Sequence, residues 1–367
     1  MIAICRIITI CAIVANCHGI VMSASLEPLA SPPADTAAPL ADGYLADRFD
    51  SVAEKLLRVR REAASVIYGQ EEVIEQTLIA ILAGGHALLV GYPGLAKTRL
   101  VETFARALGL QERRIQCTPD LMPADILGSE VLDQDEEGRK HFRFIGGPVF
   151  TQLLMADEIN RASPRTQSAL LQAMQEGRVT VAGKPRVLPT PFHTLATQNP
   201  LEHEGTYPLP EAQLDRFLLQ VDVSYPDMVS EREVLLQTTG VEQPEASPVL
   251  TSDELIEAQN LVRSLPIGED ILAAILELVR RARPEGADAD PRIRSEISWG
   301  PGPRAGQALV LASRARALLH GRTAPGLQDV HALAIPVLSH RMALNFRARA
   351  EGVSLVERIR SLYDDLG

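Results

Sequence analysis

Two short segments carry the residue types best suited to chemistry. The first is Gly91-Tyr92-Pro93-Gly94-Leu95-Ala96-Lys97-Thr98, placed between the apolar run Ala87-Leu88-Leu89-Val90 and an amphipathic stretch. A loop between a strand and a helix can aim successive backbone N–H groups, and the positive end of the helix, at phosphate oxygens. Lys97 then supplies a point charge for the β- and γ-phosphates and Thr98 a hydroxyl for Mg²⁺, so ATP with Mg²⁺ is the expected cofactor. The sequence departs from the strict G-x-x-x-x-G-K-[ST] pattern in having Ala96 at the second glycine. The bland alternative is a Gly/Pro turn ahead of an ordinary helix whose lysine is solvated.

The second segment is Leu153-Leu154-Met155-Ala156-Asp157-Glu158, four apolar residues that end in two acids. In open parallel sheets ligands bind beyond the carboxyl ends of the strands, so both carboxylates are expected to face the crevice of the phosphate loop. Asp157 would orient Mg²⁺ and its waters, and Glu158 would polarise the attacking water. Taken alone, an Asp-Glu pair after a strand is more often a solvated helix cap; the phosphate loop upstream reverses that preference.

Short apolar runs alternating with longer amphipathic ones must position these groups, which is the pattern of an α/β fold with a mostly parallel sheet. Strands are expected at His86–Val90, Arg114–Cys117, Gln152–Ala156, Thr194–Thr197 and Phe217–Val223. Helices are expected at Thr98–Leu108 and Thr166–Glu176, where Leu100, Phe104 and Leu108, and Leu170, Leu171 and Met174, share a face. Beyond Pro226 the strand pattern stops and consecutive helices follow, at Ser252–Arg263, Ile271–Arg281, Pro303–His320 and Leu327–Arg341. The expected domains are an α/β core over 44–226 and an all-helical domain over 227–367, preceded by residues 1–43.

Composition narrows the function class. Hydrophobic residues at 46% and charged residues at 23% of 367 describe a folded chain long enough for about two domains. A net charge of −11 counts against general nucleic-acid affinity, which needs clustered Lys and Arg. Three of the four cysteines, Cys5, Cys11 and Cys17, lie near the start, leaving Cys117 alone in the body and no disulfide framework. The apolar residues 1–21 resemble a signal or short anchor, but translation from Met22 is the preferred expectation, with a cytoplasmic protein as its consequence and membrane association as the alternative. The stretch from Ser23 to about Gly43 reads as a Pro/Ala/Ser linker. No histidine, including His193 and His203, is grouped at metal-ligand spacing, so no structural or redox metal is expected.

The segments GYPGLAKT, RIQCTPDLMPADILG, LLMADEINRASPRTQSALLQAMQEGRVTV, ATQNPLEHEGTYPLPEAQLDRF and WGPGPRAGQAL closely resemble the MoxR family of AAA+ ATPases, over the chain from about Tyr44 onward. The resemblance implies a P-loop AAA+ core with a helical lid, ATP hydrolysis, and a ring, typically a hexamer. It further implies a chaperone that assembles or activates client proteins, often beside a von Willebrand factor A-domain partner. Ala96 is similar to what the family carries. Residue by residue, Asn199 matches sensor 1, Arg216 the arginine finger and Arg304 sensor 2, with Arg216 expected to act across a subunit boundary and Arg304 within its own chain. Asn199 alone would read as an Asn-Pro turn, and the two arginines as solvated charges. Arg161 and Arg165 fit an interface or γ-phosphate role as well as a solvated helix face. Thr118 to Pro148 resembles the helix-2 insert and hairpin of this branch, or else a solvated loop. Three function classes remain open: a mechanochemical ATPase, a nucleotide-gated binding module and, against the charge balance, a nucleic-acid motor.

Overall fold

The computed structural model describes residues 42–136, 138–201, 205–240 and 244–364. The expectations for residues 1–41, including Cys5, Cys11, Cys17, Met22 and nearly all of the linker, and that for His203, fall outside the described residues. Along the chain, α1 (Asp42–Ala64) and α2 (Glu71–Leu82) lead into β1 (Ala87–Gly91), α3 (Lys97–Ala107) and β2 (Glu112–Gln116). A short α4 (Pro123–Leu127) and the hairpin of β3 (Gly128–Gln134) and β4 (Lys140–Gly146) precede β5 (Leu153–Asp157) and α5 (Pro164–Glu176). A second hairpin, β6 (Arg178–Val181) and β7 (Lys184–Val187), is followed by β8 (His193–Gln198), α6 (Glu211–Leu214), β9 (Leu219–Val223) and α7 (Met228–Thr238). The remainder comprises α8 (Ser252–Ser264), α9 (Glu269–Arg281), α10 (Pro291–Glu296), β10 (Ile297–Trp299), α11 (Pro303–Leu319), α12 (Leu327–Leu338), β11 (Ala343–Leu344), α13 (Phe346–Ala350) and α14 (Leu355–Asp364).

The central sheet has five parallel strands in the order β2-β5-β8-β1-β9. Inside it, β1 and β5 are continuously apolar over residues 87–90 and 153–156 because both of their faces are covered. Ala87 and Leu89 of β1, with Leu153 and Met155 of β5, join a core shared with α1, α2, α3 and the C-terminal helices. Their neighbours Leu88, Leu154 and Ala156 point the other way, into a second core with α5 and Phe217. Pairing brings the carboxyl ends together: Val90 lies opposite Gln198, Gly91 opposite Val223, and Gln116 opposite Asp157.

Local signals set the element ends. Ser163 accepts from the Thr166 N–H and Pro164 opens α5, while Gly177 closes it in a left-handed turn. Thr251 and Glu254 form a reciprocal capping box at the start of α8. The insert after Thr118 is α4 plus the β3–β4 hairpin, paired from Gly128 opposite Gly146 to Gln134 opposite Lys140. The C-terminal part is a helical lid with one addition that the strand pattern did not reveal, the antiparallel ribbon of β10 and β11. Strands of two and three residues are too short to show a period. The expected helix Leu327–Arg341 also ends earlier, at Leu338, and tightens into a 3-10 turn over Ser339–Arg341.

Beneath the sheet, at the amino ends of β1 and β8, two histidines, the half-buried His86 and the buried His193, share a polar cluster. His86 faces the Met174 carbonyl through Nε2 (3.1 Å) and accepts from the Thr194 N–H at Nδ1 (3.0 Å). His193 faces the Gly85 carbonyl through Nδ1 (2.8 Å) and the Gln259 amide of α8 through Nε2 (2.9 Å). Each neutral ring thus donates once and accepts once, and a further proton on either would point at a donor. Burial, reinforced for His86 by His193, lowers both to about 4. Unfolded histidines titrate near 6.5, so between about 6.5 and 4 the unfolded chain binds protons that the folded chain refuses. Stability is therefore expected to fall with pH across that window, by up to about 1.4 kcal/mol per pH unit per histidine. Urea midpoints measured from pH 7.5 to 5 should show a shallower slope for His86→Gln/His193→Gln than for the wild type; equal slopes would refute the assignment.

Candidate functional site

The loop after β1 curls over the carboxyl edge of the sheet because its residues permit it. A Cβ on Gly91 would meet the Val223 carbonyl oxygen at 2.5 Å, so only glycine lets β1 run this close to β9. Gly94 has φ of +81° and Ala96, the cap of α3, φ of +55°. A left-handed alanine costs about 1–2 kcal/mol, strain that a glycine in the strict pattern would avoid. In return α3 starts with its free N–H groups facing the loop's concavity. The Lys97 ammonium donates to the carbonyls of Gly91 and Tyr92 and is held across the loop. Thr98 sits half-buried in the first turn of α3. Tyr92 stacks on Tyr225, ring centroids 5.4 Å apart, tying the loop to the segment after β9.

Across the cleft lie the two acids. Asp157 ends β5; its Oδ1 accepts from the buried Thr197 hydroxyl and its Oδ2 pairs with Arg114 at 2.5 Å. Glu158 is left-handed, with φ of 54°, and its N–H donates to Thr197 Oγ1 at 2.8 Å. A non-glycine residue in that region persists only where its surroundings over-determine it. Here they do: Glu158 Oε2 accepts from Gln116 (2.7 Å) and Arg161 (2.9 Å). Thr197 thus fixes one acid's side chain and the other's backbone. Buried Cys117 lies behind them, its thiol pushed up to about 12 by burial and by the charges of Asp157 and Glu158. Asn199, just past β8, is buried with its Oδ1 accepting from the Leu201 N–H at 3.1 Å.

These groups line one cleft of about 390 Å³, formed by Pro93 to Thr98, Arg114, Asp157, Glu158, Thr197 and Asn199. Its donors are hard oxygens, the Thr98 hydroxyl and the Asp157 carboxylate, which suit Mg²⁺. Arg114 is half exposed, so its pairing with Asp157 is weak enough for a metal to displace. Arg161 pairs with Glu158, which lines this cleft, whereas Arg165 is exposed on α5.

Arg216 and Arg304 lie elsewhere. They line a second pocket with Gly85, His86, Asp215 and Leu218, residues that precede β1 and β9. The cleft holding Lys97 and Glu158 is at the other end of the same strands, and at about 3.3 Å per residue the five residues of β1 alone span roughly 16 Å. Arg304, expected to act at its own chain's nucleotide, opens α11 beside Asp215, whose Oδ2 is 3.9 Å from Arg304 Nε. Gln116, Arg114 and Thr197 were not singled out from sequence, because their role depends on the register of β2 and β8 against β5.

Residues 86–219 match the family described as "ATPase family associated with various cellular activities (AAA)", and residues 289–362 match the AAA lid domain. The chain is 39% identical over 322 residues to Chaperone MoxR1 of Mycobacterium tuberculosis, covering 88% of this chain and 83% of that protein. It is 33% identical over 300 residues to Protein MoxR of Paracoccus denitrificans, covering 76% and 86%. A crystal structure from Cytophaga hutchinsonii superposes with a TM-score of 0.81 at 37% identity, over 87% of this chain and 96% of that one.

Thr197→Val keeps the shape of the side chain but strips Asp157 of a donor and the Glu158 N–H of its acceptor. The expected loss is about 1–3 kcal/mol of unfolding free energy, read from urea titrations, together with slower ATP turnover. An unchanged midpoint would show that the two bonds do not hold the acids.

Proposed function

Because the chain belongs to the MoxR family of AAA+ ATPases, we propose that it hydrolyses ATP in a ring in which each nucleotide is held by one subunit and completed by Arg216 and Arg304 of the next. The observation that supports this reading is the separation of the two pockets by the length of the sheet. Neither arginine extends from the amino ends of β1 and β9 to the phosphates beyond their carboxyl ends. A head-to-tail assembly, which closes into rings, supplies the missing cations from outside.

Within one chain the residues of Gly91 to Thr98 bind the triphosphate, with N–H groups of the loop and the Lys97 ammonium on its oxygens. Thr98 and Asp157 would hold Mg²⁺, which when bound would neutralise negative charge on the triphosphate. Asn199 orients the attacking water, and the Glu158 carboxylate accepts its proton as the oxygen attacks the γ-phosphorus and the bond to the ADP oxygen breaks. Glu158 must first shift from Gln116 and Arg161. Charge developing on the equatorial oxygens is met by Arg216 and Arg304 of the neighbour, an effect worth about 10³-fold or more for one such arginine.

The work done with this energy is that of a chaperone, remodelling or activating a client protein, with a von Willebrand factor A-domain protein as partner. The name of the mycobacterial relative supports the first part. So does the β3–β4 hairpin, where Leu132 and Phe142 stand opposite each other across the strands with 56% and 69% of their surface exposed. Exposed apolar pairs of this kind suit contact with unfolded or partly folded chains.

Glu158→Gln should bind ATP with near wild-type affinity while turnover falls by about 10²-fold or more, whereas Lys97→Ala should lose binding. Equal nucleotide affinity for wild type and Lys97→Ala would sink the phosphate-loop assignment. Arg216→Ala and Arg304→Ala should each be nearly inactive alone, and each should regain activity when mixed with Glu158→Gln under subunit exchange. If exchange is shown by fluorescence transfer and both mixtures stay dead, the arginines do not act across the boundary.

A further inference from the structure

The segment that carries Arg216 is gripped by a residue of the lid. Arg341, in the 3-10 turn after α12, is buried, its side chain 2% exposed. Its Nε donates to Asp215 Oδ1 at 2.8 Å, and its Nη2 to the carbonyls of Phe217 at 2.6 Å and Asp215 at 3.4 Å. Its Nη1 donates to the carbonyls of Leu218 at 3.1 Å and Val337 at 2.7 Å. All five N–H donors of the guanidinium are used, four of them on residues 215–218 and one on α12. Beside it, His340 Nε2 meets the same Phe217 carbonyl at 3.1 Å.

We propose that Arg341 is a positioning residue for hydrolysis at the neighbouring subunit: it sets the backbone from which Arg216 projects and, through Asp215, the place of Arg304. A buried charge is not needed merely to tie lid to sheet, since apolar residues of similar volume do that as well or better. A guanidinium adds direction. Its planar fork fixes the carbonyls on both sides of Arg216, at Asp215 and Phe217, leaving that residue's side chain as the free part of the segment. Asp215 is shared, one oxygen on Arg341 and the other facing the half-exposed Arg304, so the carboxylate that orients Arg304 is itself immobilised by Arg341. Lid and arginine pair therefore move as one body, and a shift of the lid in one subunit reaches the nucleotide of the next.

This inference rests on Arg216 and Arg304 acting across the boundary, so the test carries a control for that reading. Arg341→Lys, Arg341→Met and Asp215→Asn are assayed in the full chain for affinity toward a fluorescent ATP analogue, for turnover, and for turnover in mixtures. Each variant is expected to bind the analogue within about twofold of wild type and to lose at least about tenfold in turnover. Mixed one to one with Glu158→Gln, each should recover activity, since about a quarter of head-to-tail interfaces then pair an intact cleft with an intact arginine pair. Mixed with Arg216→Ala, none should recover, because both chains supply faulty arginines. Should Arg341→Met fail to fold, Arg341→Lys and Asp215→Asn give the same reading. Wild-type turnover in folded Arg341→Lys and Asp215→Asn would overturn the proposal. So would unrescued Arg341 mixtures beside a rescued mixture of Arg216→Ala with Glu158→Gln. A dead control mixture overturns the trans reading, and this proposal with it.

Discussion

The parallel pairing of β1 with β8 and β9 sets the distance over which the rest of the molecule works. A parallel sheet gives every strand the same direction, so all loops that leave carboxyl ends gather at one edge and all that enter amino ends at the other. The phosphate loop, the two acids and Asn199 fall at the first edge because each follows a strand; Arg216 falls at the second because it precedes one. Covalent proximity to the strands thus sorts the charged residues into two pockets, and the rigidity of a doubly covered sheet keeps them apart. In the proposed function, parts sorted in this way meet only when a second chain supplies the arginines.

Strain is concentrated at the first edge. Ala96 and Glu158 are two of only three non-glycine residues with positive φ among those described, and both border the same cleft. The hydroxyl of Thr197, donating to Asp157 and accepting from the Glu158 N–H, and the packing of β5 between β2 and β8 hold the acid turn in place. A turn that is over-determined in this way has the Asp157 carboxylate and the Glu158 backbone placed before substrate arrives, so that only the Glu158 side chain has to move. At the second edge the device is different: one buried arginine saturates the carbonyls around Arg216 instead of straining the backbone.

Much of this was legible in the residues. The runs ALLV and LLMA read as strands buried on both faces, bounded as they are by a Gly/Pro loop and an acid pair, and the placing of that loop and those acids at one edge followed from strand direction. Several strand ends shifted by one or two residues; β2 begins two residues early because Glu112 to Arg114 are exposed on an edge strand and carry no apolar signal. The β6–β7 hairpin had a local signature in Val179, Val181 and the turn Ala182-Gly183, both at positive φ, but its strands are four residues long and partly polar. What no local pattern carries is pairing across the chain. That Gln116 meets Glu158, that Thr197 serves both acids, and that Arg341 closes on Asp215 depend on register and on the docking of the lid. The same holds for Arg304: its helix was recognisable, and the edge of the sheet it docks against was not.

The central claim concerns which chain's arginines reach the γ-phosphate, and a structure of the assembled ring bound to a non-hydrolysable ATP analogue measures that directly. The account predicts the guanidiniums of Arg216 and Arg304 from the adjoining subunit within hydrogen-bond distance, about 2.7–3.2 Å, of the γ-phosphate oxygens held by Lys97. The same two residues of the nucleotide's own chain should lie beyond the far ends of β1 and β9. A γ-phosphate contacted by Arg304 of its own chain would contradict it.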